Sequence, residues 1–323
     1  MGWSFFVRFS TIGSGWDVDD HQLTLASRGS ETLWIDTDGP LRTASHLVLR
    51  GTEYNTEDEA EDAGRHALAA LRLSLVQTGT PADFLERKLM SQLSDDALAL
   101  AGSAGNAAQE AEDPGAPRIV VVNQRAGVVP HPSNERYLSF RSSATGVAIK
   151  PAAPFVDGYQ TAIRIAQADE AADLAFDLWS AANLMPSIDS RFLTLVNAVE
   201  ALTEQQPVNG EELEAVDRLR SAVKDMGLDP SLRDLLLGRL GDFKRESVGR
   251  AARRLLAQNV PDKMYDGMRA GKFFSGIYEM RSKLTHGAEA PSHHDVAAVT
   301  PELFNLVRDL IERRLSTLPL DKG

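Results

Sequence analysis

The chain has 323 residues, of which 43% are hydrophobic and 25% are charged. This length suits two domains of average size, and the composition excludes a wholly disordered or fibrous chain. The absence of cysteine excludes disulfides, a thiolate zinc site and a cysteine nucleophile. No apolar run approaches the roughly 20 residues that cross a bilayer, and the first residues lack the pattern of a signal peptide. We therefore expect a cytoplasmic protein without a membrane partner.

The net charge of −12 disfavours indiscriminate binding of nucleic acids, because phosphate backbones are repelled at long range. One locally basic stretch lies between residues 231 and 256. Its candidate RNA-binding residues are Lys244, Arg245, Arg250, Arg253 and Arg254. A solvated helix face is the alternative explanation of the same charges.

The first 150 residues predict an α+β module with antiparallel strands. Short runs rich in β-branched and aromatic residues predict strands over 3–12, 22–26, 32–35, 46–50, 118–122 and 138–149. Helical periodicity predicts helices over 56–76 and 81–100. The segment 101–117 has little to bury and predicts a mobile loop or linker. No motif in residues 1–150 indicates chemistry, and their position alone suggests a sensor or regulatory role.

Residues 151–323 predict a second domain, an all-α helical bundle. Apolar residues at three- and four-residue steps predict helices over 159–184, 242–258, 263–269, 273–286 and 303–318. Three further helix starts are predicted at Asp189 or Ser190, at Asn209 with a capping box, and at Pro230. Thr300 and Pro301 are predicted to cap the last helix.

The helix predicted over 273–286 contains the most informative residues. Arg281 and Tyr278 lie on a stripe beside the apolar face, and Gly287 predicts a left-handed cap that places His286 at the helix end. The long Arg281 side chain can then converge with the imidazole. A histidine can exchange a proton with a ribose 2′-hydroxyl, and a guanidinium can bind the phosphate that gathers charge. The alternative is a structural salt bridge of Arg281 and an ordinary helix-end histidine.

The run Arg281-Ser-Lys-Leu-Thr-His286-Gly287 resembles the R-x-x-x-x-H motif of the HEPN superfamily. The helix 191–202, which ends in Glu-Ala-Leu, resembles a helix of the Apea-like branch of that superfamily. The resemblance covers roughly residues 187–318 and implies an all-α, usually dimeric domain that cleaves RNA without a metal in bacterial antiphage or toxin systems. It implies that Arg281 and His286 are catalytic and that Glu200 is a supporting acid. No cofactor or metal is expected.

Two other functions stay open at this point. In active members of the superfamily the residue after the motif arginine is often Asn, Asp or His, whereas here it is Ser282. The chain could therefore be a non-catalytic module for RNA binding or dimerisation, with Ser282 and Tyr278 in supporting roles. A toxin silenced by a companion antitoxin is the third class. The expected partners are an RNA substrate, a second copy of the chain, and a regulator or phage-derived trigger.

Other polar clusters give weaker signals. Asp17, Asp19, Asp20 and His21 predict a solvated loop, and the run 293–295 predicts a short turn, in preference to metal sites. The 21 aromatic residues are scattered along the chain, which predicts no base-stacking platform.

Overall fold

The structure is a computed structural model that describes residues 3–28, 31–44, 46–84, 118–121, 137–140, 148–287 and 290–316. The chain divides into a larger unit, residues 1–84 and 147–323, and a smaller unit, residues 85–146. In the smaller unit two parallel strands are described, β7 (Arg118–Val121) and β8 (Tyr137–Phe140). The predicted linker 101–117 and most of the predicted helix 81–100 lie outside the described residues.

The N-terminal part of the larger unit is an antiparallel sheet of five strands, as predicted. Its order is β3-β4-β5-β1-β6. The strands are β1 (Trp3–Thr11), β3 (Gln22–Arg28), β4 (Glu31–Asp36), β5 (Leu47–Tyr54) and β6 (Ala82–Asp83). The short β6 occupies the position where the sequence predicted the start of a helix.

Not every strand pair is antiparallel. The strand β2 (Ser14–Trp16) pairs in parallel with β9 (Ala148–Lys150), and β7 pairs in parallel with β8. The Lys150 ammonium fixes the β2–β9 pair to the end of the first helix, because it donates to the carbonyl oxygens of Thr78 and Gly79 and to the Thr80 hydroxyl. A contact between residues 70 positions apart is not visible in local sequence patterns.

Nine helices are present among the described residues. They are α1 (Glu57–Gln77), α2 (Ala152–Ile165), α3 (Glu170–Ala182), α4 (Ile188–Ala201), α5 (Gly210–Asp225), α6 (Pro230–Asp242), α7 (Val248–Asn259), α8 (Ala270–His286) and α9 (His293–Leu315). The predicted helical character of the C-terminal region is confirmed. None of the described helices is both long and apolar enough to span a bilayer.

Sheet and helices share one hydrophobic core. Phe9 and Leu49 from the sheet, Leu71 from α1, Phe155 from α2 and Phe273 from α8 all belong to the same buried cluster. The sequence predicted separate domains divided at residue 150. Separate functions for the two parts stay a prediction. Residues on both sides of position 150 contribute to the same core.

Several predicted helix boundaries are wrong for identifiable reasons. The predicted helix 159–184 is two helices, because the Asp169 side chain caps α3 and also binds Arg314 on α9. The predicted helix 242–258 starts later than expected, because α6 extends to Asp242 and Ser247 caps a new helix, α7. Residues 263–269 form a hairpin of β10 (Met264–Tyr265) and β11 (Met268–Arg269), whose Asp-Gly turn has both residues at positive φ.

The caps of three helices also differ from prediction. Ser187, rather than Asp189 or Ser190, caps α4. Asn209 is at the predicted cap position of α5, but its side chain makes no capping hydrogen bond. A capping box of Ser292 and Asp295 starts α9, and Pro301 lies inside that helix. Two reciprocal hydrogen bonds at Ser292 make a stronger start than Thr300 and Pro301 provide.

Candidate active site

The candidate site is built at the C-terminal end of α8. Phe273, Phe274 and Ile277 are buried and fix one side of this helix against the core. Gly287 ends the helix in the left-handed conformation, at φ 71°, and its N–H donates to the Lys283 carbonyl oxygen at 3.0 Å. Glycine adopts this conformation without the steric cost that a Cβ atom brings. The predicted cap is confirmed, and it places His286 at the last helical position.

Arg281 lies between an acid and an aromatic ring. Its guanidinium is 3.7 Å from a carboxylate oxygen of Glu200 on α4, and its Cζ atom is 5.8 Å from the centre of the Tyr278 ring. Both charged side chains are about one quarter exposed, at 29% and 26%. Partial burial reduces screening by solvent, and the guanidinium contacts both a carboxylate and an aromatic ring. The predicted supporting residues Glu200 and Tyr278 therefore both contact Arg281.

His286 has a different environment. It is exposed and makes no hydrogen bond or ion pair with the described residues. Five residues along a helix correspond to a rise of about 7.5 Å, so the two candidate catalytic residues occupy successive turns. The described contacts of Arg281 do not include His286. Ser282 is half-buried beside Arg281 in sequence. The site thus combines a guanidinium that has two side-chain contacts with an imidazole that has none among the described residues.

Three of the five candidate RNA-binding residues are neutralised by acids. Lys244 binds Asp217 at 2.7 Å, and Arg250 binds Glu212 at 2.8 Å. Arg254 donates to Glu246 at 3.1 Å. This hydrogen bond lowers the pKa of the Glu246 carboxyl below its ordinary value. Asp217 and Glu212 come from α5, outside the stretch on which the basic prediction was made.

Arg245 and Arg253 are exposed and make no ion pair with the described residues. Arg253 lies close to the candidate site. A Cβ atom added at Gly249 would be 3.8 Å from the Tyr278 ring and 4.0 Å from a guanidinium nitrogen of Arg253. The second turn of α7 therefore brings one cation, Arg253, toward the ring that contacts Arg281.

The clusters that the sequence analysis rejected as metal sites have structural contacts. A carboxylate oxygen of Asp17 accepts the N–H of Ala152 at the start of α2, and Asp19 pairs with Arg42. His293 Nδ1 is 2.8 Å from Asp189, a contact that joins the first turns of α9 and α4. Within the described ranges, no group of three or more His, Asp or Glu side chains could hold a metal ion.

That the scattered aromatic residues form no base-stacking platform stays a prediction, and the strand register aligns two of them. Phe6 and Trp34 lie in one row on the outer face of the five-stranded sheet, with Arg50 between them. Phe6 and Arg8 alternate along β1 with residues of the buried face. This alternation in the sequence is typical of a strand with one exposed face and one buried face. The sequence does not reveal how β1 and β4 are aligned, because the two strands do not pair with each other and each pairs with β5.

Comparisons of this chain with models of protein families, with curated proteins and with solved structures find no match. The contacts of α8 with α4 and α7 are therefore the basis for a functional proposal.

Proposed function

We propose that this protein is a metal-independent endoribonuclease of HEPN type that acts in the cytoplasm as a bacterial defence or toxin effector. The main support is the arrangement at the end of α8. Arg281 contacts both Glu200 and Tyr278 and stays partly exposed, while the exposed His286 follows one and a half turns later at a helix end fixed by Gly287.

The proposed reaction uses the RNA's own 2′-hydroxyl. His286 accepts the 2′-hydroxyl proton, the 2′-oxygen attacks the adjacent phosphorus, and the bond from phosphorus to the 5′-oxygen breaks. The products are a 2′,3′-cyclic phosphate and a 5′-hydroxyl. Arg281 stabilises the negative charge that grows on the phosphate oxygens. A solvent-exposed imidazole with no partner in the part of the chain that the structure describes is accessible to such a substrate.

A second copy of the chain completes the proposed chemistry. One histidine serves either as the base for the 2′-hydroxyl or as the acid for the leaving 5′-oxygen, and the second proton transfer requires another group. A symmetric homodimer supplies a second His286. Five large apolar side chains are exposed on or just beyond α5 and α6, which favours an association surface on the bundle. They are Leu219, Met226, Leu232, Leu235 and Phe243.

A non-catalytic module for RNA binding or dimerisation is the second candidate function. It is favoured by the absence of any described contact that orients His286, because a general base needs a defined position relative to its substrate. Ser282 is compatible with the same function. In both cases, residues 1–150 and an external regulator or trigger would control the helical part.

Cleavage of labelled RNA in the presence of a chelator tests the proposal. We expect His286→Ala and Arg281→Ala each to reduce the cleavage rate at least 100-fold, the lower range for loss of a proton-transfer group or a charge-stabilising donor. His294→Ala and Arg239→Ala are matched controls, since both residues are exposed and lie on other helices. Cleavage that survives both site substitutions would reject this site. RNA binding by the wild type without any cleavage would favour the non-catalytic module.

A further inference from the structure

Helices α5 and α6 form an antiparallel hairpin that contributes nothing to the shared core. Among the described helices and strands, these two pack chiefly against each other. Of the described residues, α6 contributes none that is buried, and α5 contributes only Val216 and Val223. At the base of the hairpin the Val208 N–H donates to the Lys244 carbonyl oxygen at 2.9 Å. The hairpin is therefore an arm fixed at its base, whose helices gain little stability from burial within the described chain.

One side of α5 presents an apolar stripe to solvent. Four exposed residues follow one another at steps of four, three and four: Ala215, Leu219, Ala222 and Met226. Such steps keep residues on one side of a helix and are typical of the seam of a coiled coil. The stripe lies about a quarter of a turn around the helix from the buried Val216 and Val223. It is therefore a helix-packing surface to which the described part of the chain supplies no partner helix.

The helix α6 adds large apolar side chains to the same arm. Leu232, Leu235 and Phe243 are 44%, 55% and 62% exposed, and on α5 Leu219 is 55% and Met226 is 63% exposed. Five side chains exposed to this degree present on the order of 500 Å² of apolar surface. A standard protein interface covers about 800 Å² per partner and is about 60% apolar. The arm thus carries the apolar area that one protein partner requires.

The alternation of small and large residues along the stripe fits a second copy of the same chain. Two α5 helices placed antiparallel, with a twofold axis between Leu219 and Ala222, bring Leu219 opposite Ala222 of the partner subunit. The same placement brings Ala215 opposite Met226 of the partner subunit. A large side chain then meets a small one at every level of the seam, as in a well-packed antiparallel helix pair. The stripe is thus complementary to itself in one register.

The charges of the arm permit this contact. Residues 210–245 contain eight acidic and seven basic side chains, so the arm is almost neutral on a chain of net charge −12. Contact through the arm therefore brings little like charge together, and a near-neutral surface has no excess of positive charge to bind a nucleic acid.

We propose that the α5–α6 arm binds the arm of a second copy of the chain, with the two α5 helices antiparallel and their stripes in contact. The four helices then cover the apolar side chains that each copy alone leaves in water. The homodimer invoked for cleavage needs a surface of this kind, but association through the arm does not depend on cleavage and holds for a non-catalytic chain as well.

Sedimentation equilibrium of the full-length protein over a wide range of concentrations tests this surface. We expect the wild type to form a dimer, and Leu219→Lys to weaken the association about 30-fold, as for the loss of one central anchor of an interface. Leu174→Lys is the matched control, because Leu174 on α3 is a leucine of nearly equal exposure, 54%, outside the arm. This control should leave the dimer unchanged.

A second pair of variants tests the register. Ala222→Leu puts two large side chains opposite each other and should weaken the dimer, whereas Leu219→Ala combined with Ala222→Leu restores a small residue opposite a large one and should recover most of the affinity. A merely adhesive apolar patch would associate more tightly after Ala222→Leu.

That tighter association, a wild type that stays monomeric at every concentration, or equal weakening by Leu174→Lys would overturn the proposal. A dimer that requires Leu219 in a protein that never cuts RNA would support the arm and reject the ribonuclease. Cleavage by a wild type that is monomeric throughout would do the reverse.

Discussion

Arg281 contacts one residue that is distant in the sequence and one residue on its own helix. The partner Glu200 is on α4, 81 positions earlier in the chain, and the ring of Tyr278 lies one turn earlier on the same helix. Half-buried arginine–acid pairs commonly have only a structural role, and exposed pairs contribute about 0–1 kcal/mol to stability. Under the proposed function, the pair acts through the position of the guanidinium more than through the free energy of unfolding.

Substitution of Glu200 distinguishes a positioning residue from a structural one. We expect Glu200→Gln to lower kcat for RNA cleavage about tenfold, with little change in KM, because Arg281 loses its charged partner while the side-chain volume is kept. Glu200→Asp should recover part of kcat. The control is Glu279→Gln, which removes the exposed partner of Lys283 on α8. Equal kinetic effects of the two Gln substitutions would contradict a positioning role of Glu200.

At the level of elements, acidic and basic helices neutralise each other. The basic surplus predicted for residues 231–256 holds only for that stretch, and α5 brings Glu212 and Asp217 against Arg250 and Lys244. Ions paired in this way are poor phosphate ligands, because binding must first break the pair. The RNA contacts of the helical part are therefore expected at Arg253 and Arg245 rather than along the whole stretch.

The left-handed cap at the end of α8 can be tested by substitution of Gly287. No described atom lies within 4 Å of a Cβ atom added at Gly287, so among the described features only the positive φ of 71° opposes Gly287→Ala. We expect a loss of about 1–2 kcal/mol in the free energy of unfolding, the cost of a left-handed residue with a Cβ atom. Cleavage should fall as well, because the backbone at His286 shifts.

Gly276→Ala is the matched substitution within the same helix. An added Cβ atom there also has no neighbour within 4 Å, but Gly276 has ordinary helical geometry. Alanine should therefore stabilise the protein by about 0.5–1 kcal/mol, the difference in helix propensity. Chemical denaturation of both variants measures the two values. Effects of the same sign would contradict the assigned role of Gly287 as a left-handed cap.

For the whole molecule, the shared core makes the helical part dependent on the sheet and α1. Tyr159 and Phe155 on α2 are buried beside α1, and the Ser74 hydroxyl on α1 donates to the Phe155 carbonyl oxygen. A fragment of residues 151–323 would expose these side chains. The sequence alone suggested that such a fragment could be separated from a regulatory module.

We expect the fragment 151–323 to lack cooperative unfolding, since loss of the contacts with α1 exposes apolar surface of several large side chains. Thermal unfolding and NMR spectra of the backbone amides, recorded for the fragment and for the full chain, measure how far the helical part depends on the sheet and α1. A fragment that unfolds cooperatively near the melting temperature of the full chain would show that the predicted boundary at residue 150 separates independent domains.

Local sequence patterns predicted strands β1, β3, β4 and β5, most helices, and the left-handed cap at Gly287. These features depend on residues close in the chain, such as the apolar periodicity of α8 and the glycine that follows it. The same local patterns failed at residues 263–269, where an Asp-Gly turn outweighed helical spacing, and at Pro301, where a stronger cap lies nine positions earlier.

Contacts between residues that are distant in the chain became apparent only in the three-dimensional structure. It brought Glu200 to Arg281, acids of α5 to the basic stretch, and Phe6, Arg50 and Trp34 into one row. Such contacts follow from strand register and helix packing, which are fixed by burial of the whole core. Local propensity and periodicity contain no information about that alignment, because the partners are separated by many turns and strands.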